Sequence, residues 1–137
     1  MAYIGQITAK EHYLLRMMLC IVPSYQTGEP VSLSFIASEE QISVKYLEQL
    51  IRPFMRAGWI ASTRGRDGGY VLKKDPKTIT LKDLLWLNEK HPHVVECLSI
   101  AYSGGCSVDK KCRSKHAWFQ VQKAIENALD EITLAQL

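Results

Sequence analysis

Apolar residues at Tyr13, Leu14, Met17, Met18 and Ile21 recur at the i, i+3, i+4 spacing of one helical face. This predicts a first helix from Thr8 to about Val22, closed by Pro23. The stretch SYQTGEPVS is turn chemistry, and LSFIASEEQ then predicts a short second helix that packs Leu33, Ile36 and Ala37. After a brief turn at Ile42, Ser43 is a good N-cap for SVKYLEQLIRPFMRAG, with Gly58 just past its end. Within this third helix Val44, Leu47, Leu50 and Ile51 form the inward stripe. That leaves Ser43, Lys45, Tyr46, Glu48, Gln49 and Arg52 on or near the outward face. Pro53 is expected to kink or end the helix, because it removes a donor and disfavours helical geometry at Arg52.

The period then changes. WIASTR and YVLKK are short β-type runs separated by GRDGG, a glycine-bearing loop suited to a hairpin. Helix, short turn, helix and hairpin together make a winged helix-turn-helix. Thr80 with Asp83 reads as a capping box opening TLKDLLWLNEK, a fourth helix expected to end before His91 and Pro92. An irregular segment with Gly104 and Gly105 follows. Beyond it Trp118, Val121, Ile125, Ala128, Leu129 and Ile132 trace one apolar face along a helix of about five turns, and that face needs a partner. The expected fold is therefore mainly α with a small β-hairpin wing, plus a long C-terminal helix suited to dimerisation. The expected organisation is a winged helix-turn-helix over residues 1–90, a cysteine-bearing loop over 91–113, and a dimerisation helix and tail over 114–137.

Composition narrows the class. A chain of 137 residues, 47% of them hydrophobic, fits one domain with an appendage and a real core without help from disulfides. No apolar run reaches a membrane span, and the N-terminus lacks a signal-peptide pattern, so a cytoplasmic protein without a membrane partner is expected. In a reducing compartment, cysteines crowded at one end read as ligands or redox groups. Lysine plus arginine exceed aspartate plus glutamate by 17 to 14, a net +3 that permits nucleic-acid binding without demanding it.

The placement of charge says more. On a helix entering the major groove of double-stranded DNA, Ser43, Lys45, Tyr46 and Gln49 would meet base edges or phosphates. Arg64 and Arg66 flank a wing tip that would reach phosphate or a narrow minor groove. The competing reading is a winged helix used for protein contact, its charges an ordinary solvated face.

The remaining chemistry is concentrated in CLSIAYSGGCSVDKKCRSKH, where Cys97, Cys106, Cys112 and His116 are spaced C-x8-C-x5-C-x3-H. Three thiols suit an iron-sulfur cluster, and the same donors with one histidine suit structural zinc. Lys110, Lys111, Arg113 and Lys115 beside them would lower thiol pKa and favour metal binding or redox reactivity, so a metal-free loop is a third reading. The spacing also matches zinc fingers of the CCCH type that bind RNA, but such fingers supply aromatic residues for base stacking and this loop offers only Tyr102. His116 stands four residues past Cys112, roughly one helical turn along the same face. Cys20 continues the buried stripe of the first helix and reads as a core thiol, His91 and His93 as exposed loop residues, and Trp59 and Trp86 as packing residues. No phosphate-cradling glycine loop or nucleophile-base pairing points to an enzyme.

KEHY near the start, ISVKYLEQL, RGRDGGYVL, the cysteine loop and the closing ITLAQL together resemble the Rrf-two family of bacterial winged-helix repressors over nearly the whole chain. Its members include an iron-sulfur cluster regulator, a nitric-oxide-sensing repressor and a cysteine-metabolism repressor. The resemblance implies a homodimer joined by the long C-terminal helix, acting on a palindromic operator. In cluster-bearing members three loop cysteines hold a 2Fe-2S or 4Fe-4S cluster, and they match Cys97, Cys106 and Cys112. Some members bind no cluster. The best-known iron-sulfur members carry a histidine three residues after the last cysteine, where this chain has Lys115 and places His116 one position further on. Other members take a carboxylate from the first helix, just before a tyrosine. Here that slot is His12, before Tyr13 and after Glu11, so the implied fourth ligand is His116 or His12. The wing carries Arg66-Asp67 where relatives usually have proline or glycine.

Overall fold

Thr8 and Glu11 start the first helix reciprocally: the Glu11 amide donates to Thr8 Oγ1 at 3.3 Å, and the Thr8 amide donates to the Glu11 carboxylate at 2.7 Å. In the computed structural model, which describes residues 7–88, 93–99 and 102–137, this capping box opens α1 (Ala9–Ile21). Then come α2 (Ser24–Thr27), α3 (Leu33–Glu40), α4 (Val44–Arg56), β1 (Ile60–Thr63), β2 (Gly69–Leu72), α5 (Leu81–Asn88) and α6 (Arg113–Glu131). The chain is mostly helical, with one two-stranded antiparallel hairpin pairing Ile60 with Leu72 through Thr63 with Gly69. This is the winged helix expected from the sequence.

One apolar core joins Leu14, Met17, Met18 and Ile21 of α1, Ile36 of α3, Leu47, Leu50, Ile51 and Phe54 of α4, and Ile60 and Leu72 of the hairpin. Ser43 caps α4 by accepting the Tyr46 amide at 3.2 Å, as its position predicts. Between α3 and α4 the chain turns through Gln41 in the left-handed region (φ 54°), where its side-chain amide donates to the Ser38 carbonyl at 2.7 Å. Arg16 of α1 reaches across to pair with Glu40 at the end of α3 at 2.6 Å, fixing the angle between these helices.

The wing is fastened to the core at its base. Buried Ser24 accepts the Leu72 amide at 2.9 Å and donates to the Ile21 carbonyl at 2.6 Å. Val31 pairs with Tyr70 through two backbone bonds of 2.8 and 2.9 Å, adding a bridge outside β2. Gly69 is needed there, since a Cβ on it would stand 2.6 Å from the Val31 carbonyl.

Three expectations are corrected. Val44 does not join the inward stripe: it is 38% exposed, because as the first residue after the cap it stands before the turn that meets the core, and Phe54 supplies the fourth buried position. Of the two outcomes expected at Pro53, a kink or an end, the end is overturned: Pro53 lies inside α4, which runs three residues further, toward the Gly58 stop. Phe54, fully buried, anchors that last turn, and the Ala57 amide closes onto the Pro53 carbonyl at 3.0 Å. The segment read as turn chemistry forms the single helical turn α2, ended by Gly28 at φ 71°.

Thr80 and Asp83 form the expected capping box of α5, with bonds of 3.2 and 3.1 Å. The place where that helix was expected to end, before His91 and Pro92, lies outside the described residues. The chain after α6 returns to the core: Thr80 bridges Thr133, the Leu134 amide donates to the Ile79 carbonyl at 2.9 Å, and Leu134 is fully buried.

Candidate nucleic-acid interface and cysteine segment

The capped start of α4 and the hairpin present their polar residues outward. Ser43, Lys45, Gln49, Arg64 and Arg66 are exposed. Ser43 has one hydroxyl lone pair committed to the helix cap and keeps its proton for donation. Tyr46 is half-buried instead: its ring meets Tyr13 edge-on at 6.0 Å and packs against the core, so its outward contribution is limited to its edge. An open groove between α4 and β2 is lined by Glu48, Arg52, Arg56 and Tyr70. A second cleft, between the start of α3 and the wing, is lined by Ser32, Phe35, Arg66 and Asp67. Sequence reasoning passed over Arg56, Ser32 and Phe35. The capping role of Ser32 was the available signal, because it marks where α3 begins and which amides face outward.

The cysteine segment is tied to α6 at both ends. Before it, the Val94 amide donates to Gln122 Oε1 of α6 at 2.9 Å. After it, Cys112 is the residue at which α6 begins, with its sulfur 3.2 Å from Ser114 Oγ. The thiol makes no formal cap bond. Even so, Ser114's hydroxyl first, and then the nearby amide of Lys115, favour the thiolate and hold Cys112 below its ordinary value. Lys115 pairs with Asp109 at 2.7 Å and lies over the Tyr102 ring at 5.6 Å. Tyr102 Oη in turn accepts the Cys106 amide at 3.3 Å. Pairing with Asp109 raises the Lys115 pKa.

Cys97 and Cys112 are half-buried and Cys106 is exposed. The donor set fits an iron-sulfur cluster chemically, with three free thiols on one segment and a thiolate favoured at Cys112. Among the described residues, however, no three histidine, cysteine, aspartate or glutamate side chains stand together as a metal site. His116 is exposed in the first turn of α6, on the same helix start as Cys112. His12 is exposed on α1, its ring 6.4 Å from that of Tyr13. Glu11 is committed to the α1 cap.

Cys20 is a different kind of thiol. It donates to Glu40 at 3.5 Å, and burial first, then Glu40, push it up to about 11. Trp59 and Trp86 are half-buried packing residues with lysines over their rings, Lys74 at 4.2 Å and Lys82 at 4.5 Å. His93 is exposed. No helix among the described residues is long and apolar enough to cross a membrane.

Residues 7–137 match the family model Rrf2, described as an iron-dependent transcriptional regulator. The chain is 36% identical to the protein rrf2 of Nitratidesulfovibrio vulgaris over 132 residues, covering 96% of this chain and 86% of that one. Among solved structures it is similar to T. potens IscR, with a TM-score of 0.71, 34% identity, and 95% and 83% of the two chains covered. It is also similar to CymR, described as the global cysteine regulator of B. subtilis, with a TM-score of 0.73, 31% identity, and 95% and 93% covered.

Proposed function

Because the chain belongs to the Rrf2 family of winged-helix transcriptional regulators, which act on DNA, we propose that it is a homodimeric, sequence-specific repressor that senses iron-sulfur status, redox state or nitric oxide. In this reading residues 1–90 form the DNA-reading head, 91–113 the sensor loop and 114–137 the dimerisation arm. Ser43, Lys45, Tyr46 and Gln49 face base edges or phosphates in the major groove, and Arg64 and Arg66 hold the flanking backbone or minor groove. Two identical heads related by a two-fold axis call for an operator with two matching half-sites, an imperfect palindrome.

Cys97, Cys106 and Cys112 hold the cluster, with His116 or His12 in the fourth position. Bound there, it supplies oxygen- or nitric-oxide-sensitive iron-sulfur chemistry. The chain's own residues do the rest. Cys112 links the loop directly to the first turn of α6, while Gln122 holds the approach to Cys97 against the same helix. Any change in the loop is therefore delivered to α6, whose apolar face awaits a second copy. What carries the reading is that three thiols lie on a segment fastened at both ends to a helix none of whose residues is fully buried in its own chain.

The test is anaerobic purification followed by a visible absorption spectrum and assays of iron, sulfide and zinc. Equal iron and sulfide with charge-transfer bands, lost on single serine replacement of any of the three cysteines, is the expected result. Zinc alone would move the site to a structural metal. Absence of any metal would favour a second reading, a metal-free winged-helix regulator governed by a partner protein or metabolite. That reading draws on the likeness to CymR and on the absence, among the described residues, of any three ligand-type side chains grouped together. His116→Ala and His12→Ala, compared anaerobically, identify the fourth ligand by which one alters the spectrum.

A further inference from the structure

The cysteine loop is not merely slack chain between two helices. Lys115 gathers it with one cation: the ammonium sits 2.7 Å from Asp109 Oδ1 and over the Tyr102 ring, and Tyr102 Oη accepts the Cys106 amide. The Asp109 amide also donates to the Cys106 carbonyl at 3.3 Å, so Cys106 and Asp109 move together. In this arrangement Cys106 points to solvent and no three metal-binding side chains among the described residues converge. Moving Cys106 toward Cys97 and Cys112 would carry along, or break, its backbone bonds to Tyr102 and Asp109, the two groups that face Lys115. Gly104 and Gly105 provide the freedom to do so, with φ of 93° and 106° and open space around each.

We propose that Lys115 and Asp109 form a clip that holds the cysteine loop in an arrangement competing with metal assembly, and so set how readily the sensor loads. The inference rests on the reading that Cys97, Cys106 and Cys112 are the ligands. A metal that binds only the released loop, with its three thiols brought together, has its affinity scaled down to the fraction of chains in that released state. The pair is about one-third exposed on both sides, so its removal shifts that fraction modestly, by about two- to fivefold.

The test uses the full chain, stripped of metal under anaerobic reducing conditions, with cobalt(II) as the probe. Cobalt-thiolate absorption gives the affinity, and hydrogen exchange over residues 102–111 gives the state of the loop. Asp109→Asn and Lys115→Gln should each speed exchange at the Cys106 amide and tighten cobalt binding by about two- to fivefold. The double exchange of Asp109→Lys with Lys115→Asp should restore both values. Asp109→Asn is the discriminating variant. If charge alone mattered, losing an anion beside the site would weaken cation binding, whereas opening a clip strengthens it. Unchanged exchange in the single variants, or weaker cobalt binding by Asp109→Asn, overturns the clip. If no variant binds cobalt while exchange responds as expected, the ligand assignment fails and with it the competition, although the ion pair still orders the loop.

Discussion

α4 and α6 carry the same kind of apolar periodicity, and the fold treats them in opposite ways. α4, with 13 residues, buries Leu47, Leu50, Ile51 and Phe54 against α1, α3 and the hairpin. α6, with 19 residues, buries none; Trp118 remains 36% and Phe119 44% exposed. The head fills a core within one chain, whereas α6 rests on α5 and leaves Trp118 and Phe119 at the surface. If the cysteine segment is the proposed sensor, its attachment to this less buried helix gives a ligand there more leverage than one in the core would have.

The sharpest way to break the contrast is to damage the core side. Phe54→Ala, which empties a fully buried aromatic position in the head, should lower stability by about 3 to 5 kcal/mol in chemical denaturation. It should weaken DNA binding only by unfolding the head. Placing charge on the less buried side should act differently. Val121→Glu with Ile125→Glu should yield a monomer by sedimentation, with the head still folded and operator affinity down by about a hundredfold or more, because the second half-site is no longer tethered. A double variant that stays dimeric would place the interface elsewhere.

Much of this contrast was legible beforehand. The i, i+3, i+4 stripes of α1 and most of that of α4, the Ser43 and Thr80 caps and the glycine-bearing hairpin are local signals, and they appear where they were read. Other features depend on distant residues. The last turn of α4 past Pro53 survives because Phe54 finds a tertiary pocket, and Val44 stays outside because the core lies beyond its turn. Ser24 looks like turn chemistry until the Leu72 amide, 48 residues away, needs an acceptor. Leu134 gives no periodic signal, yet it is fully buried beside Ile79. At the cysteine segment, sequence supplied the donors and left their arrangement open. The Lys115–Asp109 pairing is a contact that spacing alone does not specify.

Smaller effects test the reading face. Lys45→Ala and Arg64→Ala should each weaken binding and reduce the slope of log affinity against log salt by about 1. A variant that loses affinity without changing the slope would assign that residue to base edges instead. Equal binding of random and selected duplexes by wild type and both variants would contradict sequence-specific regulation.

The smallest expected effect concerns the brace between α1 and α3. The hydrogen bond from Arg16 holds the Glu40 carboxyl below its usual range. A depressed carboxylate contributes stability above its unfolded value near pH 4.3, and the contribution is lost as pH falls through the folded value. Glu40→Gln should therefore cost less than about 1 kcal/mol at neutral pH, since the pair is partly exposed. The difference from wild type should shrink toward zero in acid. A difference that persists unchanged at low pH would mean the brace acts by packing.

The central claim is that metal chemistry at the cysteine segment reaches the reading heads through α6. The direct measurement is operator affinity, at fixed salt and anaerobically, for one preparation before and after its iron is removed, beside the Cys112→Ser variant. A shift of about tenfold to hundredfold on iron removal, absent in Cys112→Ser, is the predicted result. Affinity that is the same with and without iron would contradict the claim.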